Sequence, residues 1–293
     1  MLLLAHAVMP RDIAVMSVDH GLRPEASSEV ALVKALCNAL EIPFTSATVS
    51  VSKGNIQAKA REARYHALLE WAEGNSLSAV ATAHHADDQA ETLLMRLARG
   101  SGLAGLSGVR ASTYMPGSQI TLVRPLLWTR KSELEDAVRA VGLAPAIDPS
   151  NANIAFDRVR VRQHLASNDW LDAHALAASA GYIAEGWRAL EWYAELDREE
   201  MVSLERDEAG APTYLYCANV PRIIQIETVC HIVSELGGRV SRGEAGRAAD
   251  RLWRGHNASL GGVLAVPSIE KVEKIGVEMR VWRFSPEPPR NTH

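Results

Sequence analysis

The sequence predicts a doubly wound α/β domain built on a parallel sheet, followed by a second, mostly helical domain. Three observations carry that expectation. Between residues 13 and 99, short apolar runs alternate with helical patterns on short connections, which implies crossover units and a parallel sheet with helices on both faces. Polar clusters fall where those runs end, at Asp19-His20 and at His84-His85; ligands of such sheets bind beyond the carboxyl ends of the strands. From Asp169 to Val202 the pattern becomes long and helical.

In order along the chain, Met1 to Met9 is apolar but lacks a basic leader, is too short to span a bilayer and runs into Pro10. It reads as the tail of a buried helix, not as a signal peptide or membrane anchor, and a helix tail at residue 1 raises the expectation that a segment precedes it. Ile13 to Val18 is a buried-strand pattern. Ser27 to Leu40 has helical spacing through Val30, Val33, Leu36 and Leu40. Phe44 to Val51 is a second strand and Ile56 to Glu73 a second helix, with Ala60, Ala63, Ala67 and Trp71 on one stripe. Leu77 to Ala83 makes a third strand and Asp87 to Arg99 a third helix, whose expected buried stripe is Ala90, Leu93, Leu94 and Leu97. Ile120 to Leu127 adds a strand, and Lys131 to Val141 a helix capped by Ser132, before Pro145 and Pro149 break the pattern. Pro221 to Leu236 is helical again, Gly262 to Val266 and Val277 to Phe284 are strand-like, and Pro286 to His293 is a tail.

At 293 residues the chain is long enough for one large and one smaller domain, each with its own core. With 47% hydrophobic and 23% charged residues it lies far from the disordered regime. The net charge of -4 excludes a globally basic nucleic-acid binder, so an RNA-contacting surface has to be a local patch. Cys37, Cys217 and Cys230 show no Cys-x-x-Cys pairing. This argues against a zinc ribbon, an iron–sulfur cluster or a disulfide framework, and fits a reducing cytoplasm.

The densest group of functional residue types is Ala81-Thr-Ala-His-His-Ala-Asp-Asp-Gln-Ala-Glu-Thr92. Asp88-x-x-Glu91 reads as a capping box, and acidic residues suit a helix amino terminus with no catalytic role. His84, His85, Asp87, Asp88 and Gln89 together exceed what one cap needs. Adjacent carboxylates are hard cation ligands suited to Mg²⁺ on nucleotide phosphates. Arg99-Gly-Ser-Gly-Leu-Ala-Gly-Leu-Ser-Gly108 supplies four glycines, which let the backbone curl round a ligand, beside an arginine for an anionic group; it equally reads as a helix carboxyl cap and turn. Asp19-His-Gly-Leu-Arg23 is a strand-to-helix turn on the same sheet edge. Arg158, Arg160 and Arg162 alternate with valine, so an extended segment would put all three on one face, to meet phosphates or to serve as a surface strand.

These segments occur in one order with Gly54-Asn-Ile-Gln-Ala58, Ala63-Arg-Tyr65, Arg124-Pro-Leu-Leu127 and Asp148-Pro-Ser-Asn151. The series resembles bacterial tRNA(Ile)-lysidine synthetase, specifically over residues 13 to 162 and more weakly beyond, where Ser259-Leu-Gly-Gly262 is the local reminder. The resemblance implies an adenine nucleotide alpha hydrolase-like domain over residues 1–165 with its first strand missing, a mostly helical tRNA-contacting domain over 166–285, and a tail from 286. It implies a cytoplasmic, non-membrane ligase that uses ATP and Mg²⁺ to adenylate O2 of the first anticodon cytidine of tRNA(Ile) with a CAU anticodon, after which free L-lysine displaces AMP. Homodimerisation stays open. Carried over position by position, Asp87 and Asp88 serve Mg²⁺–ATP and lysine, and His84 and Arg99 stabilise phosphate charge. Asp19, His20, Arg23, Gly100 and Gly102 hold the nucleotide, and Arg64, Arg158, Arg160 and Arg162 hold tRNA. Val159 stands where many members have asparagine. The family's Ser-Gly-Gly-x-Asp-Ser phosphate loop does not occur in the sequence, so an amino-truncated chain is expected. Two competing readings are a non-catalytic tRNA-binding remnant and a sibling loop enzyme such as a tRNA thiolase.

Overall fold

A computed structural model describes residues 1–19, 26–49, 56–144, 157–206, 210–272 and 276–288. His20, Arg23, Gly54, Asn55 and the Asp148-Pro-Ser-Asn151 segment lie outside the described residues. The chain divides into two compact units, Met1–Glu185 and Gly186–His293. Among the described residues no helix is long and apolar enough to cross a membrane.

In the first unit α1 (Leu2–Val8) precedes β1 (Val15–Asp19), α2 (Ala26–Ala39), β2 (Phe44–Thr48), α3 (Ile56–Gly74), β3 (Ala79–Ala81) and α4 (Ala86–Leu97). There follow α5 (Leu103–Leu106), β4 (Ser112–Tyr114), β5 (Thr121–Val123), α6 (Lys131–Ala140) and α7 (Asp157–Ala166), and α8 (Ala173–Met201) runs across the boundary between the units. β1 pairs with β2 in parallel, Val15 opposite Phe44, with α2 as the crossover. β3 pairs with β5 in parallel, and β4 joins the other edge of β5 antiparallel. The core beneath these strands gathers Leu68 and Ala72 of α3 with Val80, Met115, Ile120 and Leu122, and Met16 and Val18 pack against it.

Three local expectations need correction. α1 is a helix, but none of its residues is buried, and Val8 is 78% exposed. The N-cap of α6 is Arg130, not Ser132, because Glu133 Oε2 accepts the Arg130 N–H at 2.7 Å and fixes the helix start there. Residues 157–162 are helical, not extended.

In the second unit β6 (Val202–Arg206), β7 (Pro212–Cys217), α9 (Arg222–Glu235), α10 (Arg242–Trp253), β8 (Ala258–Leu260), β9 (Val263–Val272) and β10 (Val277–Pro286) follow. The five strands form one antiparallel sheet in the order β6-β7-β10-β9-β8, against which α9 and α10 pack. The sequence pattern marks two of these strands, and the mostly helical second domain expected from it is instead a five-stranded antiparallel sheet packed with helices, because the short and edge strands carry no clear alternation. Trp282 at the sheet centre is fully buried and meets Tyr216, its cross-strand partner, edge-on at 5.9 Å. The buried Asp197 of α8 accepts the Tyr216 hydroxyl at 2.8 Å and the Thr228 hydroxyl at 3.3 Å, so one carboxylate ties helix, strand and α9 together.

The turn from β8 to β9 passes so close to the end of α9 that a Cβ on Gly238 would stand 2.3 Å from the Gly261 carbonyl oxygen. Gly238→Ala must therefore move backbone, and we expect it to destabilise the second unit by about 2 kcal/mol, within the range for overpacking a tight contact. Urea unfolding followed by tryptophan fluorescence checks this, and an unchanged midpoint would refute the close approach.

Candidate active site

β3 ends at Ala81, and the chain enters α4 after only four intervening residues, so the helix start stands at the carboxyl edge of the strand. His85 is the N-cap in an extended conformation, and its N–H donates to Asp88 Oδ2 at 3.0 Å. The capping pair is thus His85 with Asp88; the pairing of Asp88 with Glu91 expected from the sequence does not form, because a cap links the residue before the helix to its third residue. The Ala86 N–H reaches the Thr129 carbonyl at 3.0 Å, and Asp87 Oδ2 accepts the Lys131 N–H at 2.8 Å. Asp87 therefore places its charge at the amino end of α6, where the helix dipole favours an anion.

The two adjacent histidines differ in state. The His85 ring lies between the carboxylates, with Nδ1 3.3 Å from Asp87 and Nε2 3.5 Å from Asp88. Burial alone would lower its pKa, but the bond to Asp87 and the charges of Asp88, Asp87 and Glu91 outweigh burial and raise it. The same His85 contact, opposed by burial and helped by the Lys131 N–H, holds Asp87 down at about 2. His84 is pushed down to about 4, chiefly by burial and further by Arg124, Arg61 and Arg64, against the pull of Asp88. Its Nδ1 is 3.0 Å from the Thr82 hydroxyl, so near neutral pH His84 is an uncharged imidazole. Any stabilisation it gives a phosphate is that of a hydrogen-bonding ring, not of a cation.

The sequence reads Glu91 only as a capping partner of Asp88, yet among the described residues it is the most deeply buried charge in the unit, with its side chain 1% exposed. Arg162 Nε lies 2.7 Å from Oε1 and its Nη2 donates to Oε2 at 3.3 Å, while Arg158 Nε reaches Oε2 at 3.0 Å. Arg158 Nη2 also donates to Thr92 Oγ1 at 3.2 Å. On a helix, residues four apart share a face, which is why α7 delivers Arg158 and Arg162 to one carboxylate and turns Arg160 toward Asp157 instead. The alternation of arginine and valine suggests one face for all three; the helical period separates them.

Arg99, Gly100 and Gly102 follow α4. Gly100 has φ +67°, its N–H bonds to the Leu97 carbonyl, and the Ser101 N–H bonds to Arg96 O at 3.0 Å, so Gly100 closes the helix in a Schellman turn. Gly102 is the N-cap of α5. The rest of the glycine loop is strapped to α4: Arg96 donates to the carbonyls of Gly105 and Gly108, and the buried Gln89 exchanges hydrogen bonds of 2.8 and 2.6 Å with the backbone of Val109. Arg99 itself is 63% exposed and 3.2 Å from Asp157.

A cleft of about 360 Å³ opens beside α4, lined by Arg61, His84, Thr92, Arg96, Arg99 and Arg158. Of the residues proposed from sequence it unites His84, Arg99 and Arg158; Arg61, Arg96 and Thr92 are additions. Four guanidinium groups around one neutral imidazole suit a polyanion. Among the described residues the lining does not include Asp19, which ends β1, nor Arg64, which sits 5.7 Å from the Tyr65 ring, nor Gly100, Gly102, Arg160 or Arg162. Asp87 and Asp88 stand at the start of the same helix. Among the described residues no group of three or more His, Cys, Asp or Glu is arranged so that it could hold a metal ion by itself.

Comparisons place this geometry among known proteins. Residues 1–168 match the PP-loop domain family. A tRNA(Ile)-lysidine synthase of Novosphingobium aromaticivorans is 41% identical over 292 residues, covering 98% of this chain and 85% of that protein. One of Zymomonas mobilis subsp. mobilis is 34% identical over 295 residues, covering 99% and 85%. The solved U34-tRNA thiolase NcsA from Methanococcus maripaludis, with its 4Fe-4S cluster, shares the fold with a TM-score of 0.53 at 14% identity, over 63% of this chain and 67% of that one.

Two expected outcomes follow from the site. Glu91→Ala strands two guanidinium groups, and we expect a loss of about 3 kcal/mol, the low end for breaking a buried ion pair because both arginines reach solvent; Arg160→Ala should stay within about 0.5 kcal/mol. Chemical denaturation distinguishes them, and equal losses would refute the clamp. The lowered Asp87 contributes stability present above the ordinary carboxylate value of 3.8 and lost as pH falls toward about 2. The raised His85 contributes stability present below 6.5 and lost as pH rises through its folded value. Imidazole NMR titration should give His84 a midpoint near 4 and His85 one above 6.5; a shared midpoint would contradict the arrangement.

Proposed function

Since this chain belongs to the tRNA(Ile)-lysidine synthase family, and its first 168 residues to the ATP-binding PP-loop domain family, we propose that it ligates free L-lysine to C2 of the first anticodon cytidine of tRNA(Ile), with the cleft beside α4 as the anion-binding part of the site. The observation that carries the assignment to this cleft is the convergence of Arg61, Arg96, Arg99 and Arg158 with a neutral His84 at the carboxyl edge of β3.

In the reaction, cytidine O2 attacks the α-phosphorus of ATP and pyrophosphate leaves; the lysine amine then attacks C2 and the C2–O bond breaks to release AMP. A poor leaving oxygen becomes a phosphate ester, and negative charge moves from the α-phosphate to the departing pyrophosphate. Preorganised cations in a partly dry cleft favour that movement. Arg99 and Arg158 are exposed enough to meet phosphate oxygens. Arg158 is aimed by Glu91, and Arg96 shapes the loop above it. His84 donates or accepts a hydrogen bond without adding charge. Mg²⁺ enters as part of its ATP complex, for which one or two carboxylates suffice alongside phosphate and water oxygens. Asp87 and Asp88 fit this, since both engage their protein partners through Oδ2 and Asp87 is 34% exposed. A flipped anticodon base in a single-stranded loop is the kind of RNA target such a cleft can take.

The test is incorporation of labelled lysine into a tRNA(Ile) CAU transcript, with ATP, by the chain. Incorporation should depend on ATP and on cytidine at the first anticodon position. Asp88→Asn keeps an oxygen for the His85 N–H and hence the cap, worth about 1 kcal/mol, but removes the charge; it should fold normally and lose incorporation. Retained tRNA binding with no incorporation and no ATP–pyrophosphate exchange would leave an RNA-binding role in place of catalysis.

A further inference from the structure

The cleft beside α4 is not uniformly polar. Its lining holds two apolar side chains, Met95 on α4 and Val109, besides the guanidinium groups, the imidazole and the Thr92 hydroxyl. A thioether and a branched alkyl group together offer a planar ring an apolar face, which phosphate oxygens do not need. Val109 is also the only described lining residue from the segment between α5 and β4, residues 107–111. That segment is neither helix nor strand, so its place in the cleft depends on what holds its backbone.

Four successive carbonyls of this segment are each taken by a donor from α4 or from Arg124, the residue after β5. Arg96 Nη1 donates to Gly108 O at 2.9 Å, Gln89 Nε2 to Val109 O at 2.8 Å, Arg124 Nη1 to Arg110 O at 2.7 Å, and the Arg124 N–H to Ala111 O at 2.8 Å. Of these side chains Gln89 bonds in both directions, because the Val109 N–H donates back to its Oε1 at 2.6 Å. The side-chain amide thereby pairs with a main-chain amide as two facing strand residues do. Among side chains of this length only an amide offers a donor and an acceptor without charge. Gln89 is 4% exposed, and Gly108 leaves it room: at φ +65° a Cβ on that residue would stand 2.5 Å from Gln89 Oε1.

We propose that Gln89 is a positioning residue: by pairing with both main-chain groups of Val109 it sets, together with Met95, the apolar wall against which the nucleobase ring of a bound substrate lies. The guanidinium groups of the cleft then meet the phosphates of the same ligand. The proposal rests on the reading that the cleft takes the ligation substrates, two of which carry such a ring, the adenine of ATP and the cytosine of the anticodon. Gln89 acts through Val109, since its amide is engaged there and it does not itself line the cleft.

The test titrates the full chain with ATP, CTP and inorganic tripolyphosphate by calorimetry; the three share a triphosphate, and tripolyphosphate lacks a ring. Gln89→Met keeps the side chain long and uncharged but removes both bonds, and Val109→Ala keeps the bonds but removes the wall. In both variants a ring-bearing ligand should bind about tenfold more weakly, the scale of one lost ring contact. Tripolyphosphate, which meets an unchanged charge, should keep its affinity. Combining the two substitutions should cost less than the sum of their separate effects, because both act through one side chain. Loss confined to ATP assigns the wall to adenine and loss confined to CTP assigns it to cytosine, and either supports the proposal. Equal loss for all three ligands would make Gln89 merely structural and overturn it. Should Gln89→Met not fold, as judged by circular dichroism, Val109→Ala decides. If the unsubstituted chain binds ATP and CTP no more tightly than tripolyphosphate, or if the variants keep the difference, no ring lies on this wall; the proposal falls and lysine incorporation stands. A chain that incorporates no lysine yet shows the ring-dependent loss would remove the ligase reading and leave Gln89 positioning a nucleotide.

Discussion

Glu91 sits in the middle of α4 with no access to water, and a carboxylate there is tolerable only because Arg158 and Arg162 meet it from α7. An isolated buried charge would cost several kcal/mol or take up a proton. The pair therefore sets the position of α7 against α4, and with it the position of Arg158 in the cleft. Arg158 in turn bonds to Thr92 on the same helix, so its guanidinium is fixed at two points and presents a defined edge to the cleft. The cleft owes its positive lining to a negative charge hidden behind it: Glu91 consumes only part of the two guanidinium groups while being itself invisible to a ligand.

The same economy holds at the helix start. His85, Asp87 and Asp88 look like three catalytic groups in sequence, but Asp88 caps α4, Asp87 anchors the start of α6, and His85 binds both carboxylates together. These bonds keep Asp87 ionised across the neutral range and make His85 the more basic histidine, while burial leaves His84 neutral. Two adjacent imidazoles thus supply one uncharged hydrogen-bonding ring on the cleft and one more basic ring set between two carboxylates. Capping and function are compatible here, because a carboxylate bonded through one oxygen still has another.

Most of the first unit is legible in the sequence, since its strands and helices carry strong periodicity and their ends carry turn residues. What escapes has identifiable physical causes. Arg158-Val-Arg-Val-Arg162 satisfies the period of a strand, yet the distant Glu91 favours a helix, which alone brings two arginines to one carboxylate; no local pattern encodes a partner 71 residues away. Glu91 is hidden by its spacing from Asp88, which imitates a capping box. In the second unit, α10 buries Ala245, Gly246, Ala248 and Ala249 before Leu252, so over most of its length Arg242-Gly-Glu-Ala-Gly-Arg-Ala-Ala-Asp-Arg-Leu-Trp253 shows no large apolar residue to announce an amphipathic helix. β6 is an edge strand whose outer residues Ser203, Leu204, Glu205 and Arg206 are exposed, which gives it no alternation to detect.

The arginines of the cleft follow one electrostatic rule. A chain with net charge -4 gains little from long-range attraction to RNA, since charges beyond about 10 Å are screened at ordinary salt. Local attraction then has to come from cations whose neighbouring anions are neutralised internally. In the first unit that neutralisation is the burial of Glu91 and the capping role of Asp88. The carboxylates that would repel a phosphate are each tied into a helix start or an ion pair, so the guanidinium groups facing solvent act as a positive patch on an acidic protein. Folding itself, by fixing where the acids go, leaves clustered guanidinium groups facing solvent on a chain whose overall charge points the other way.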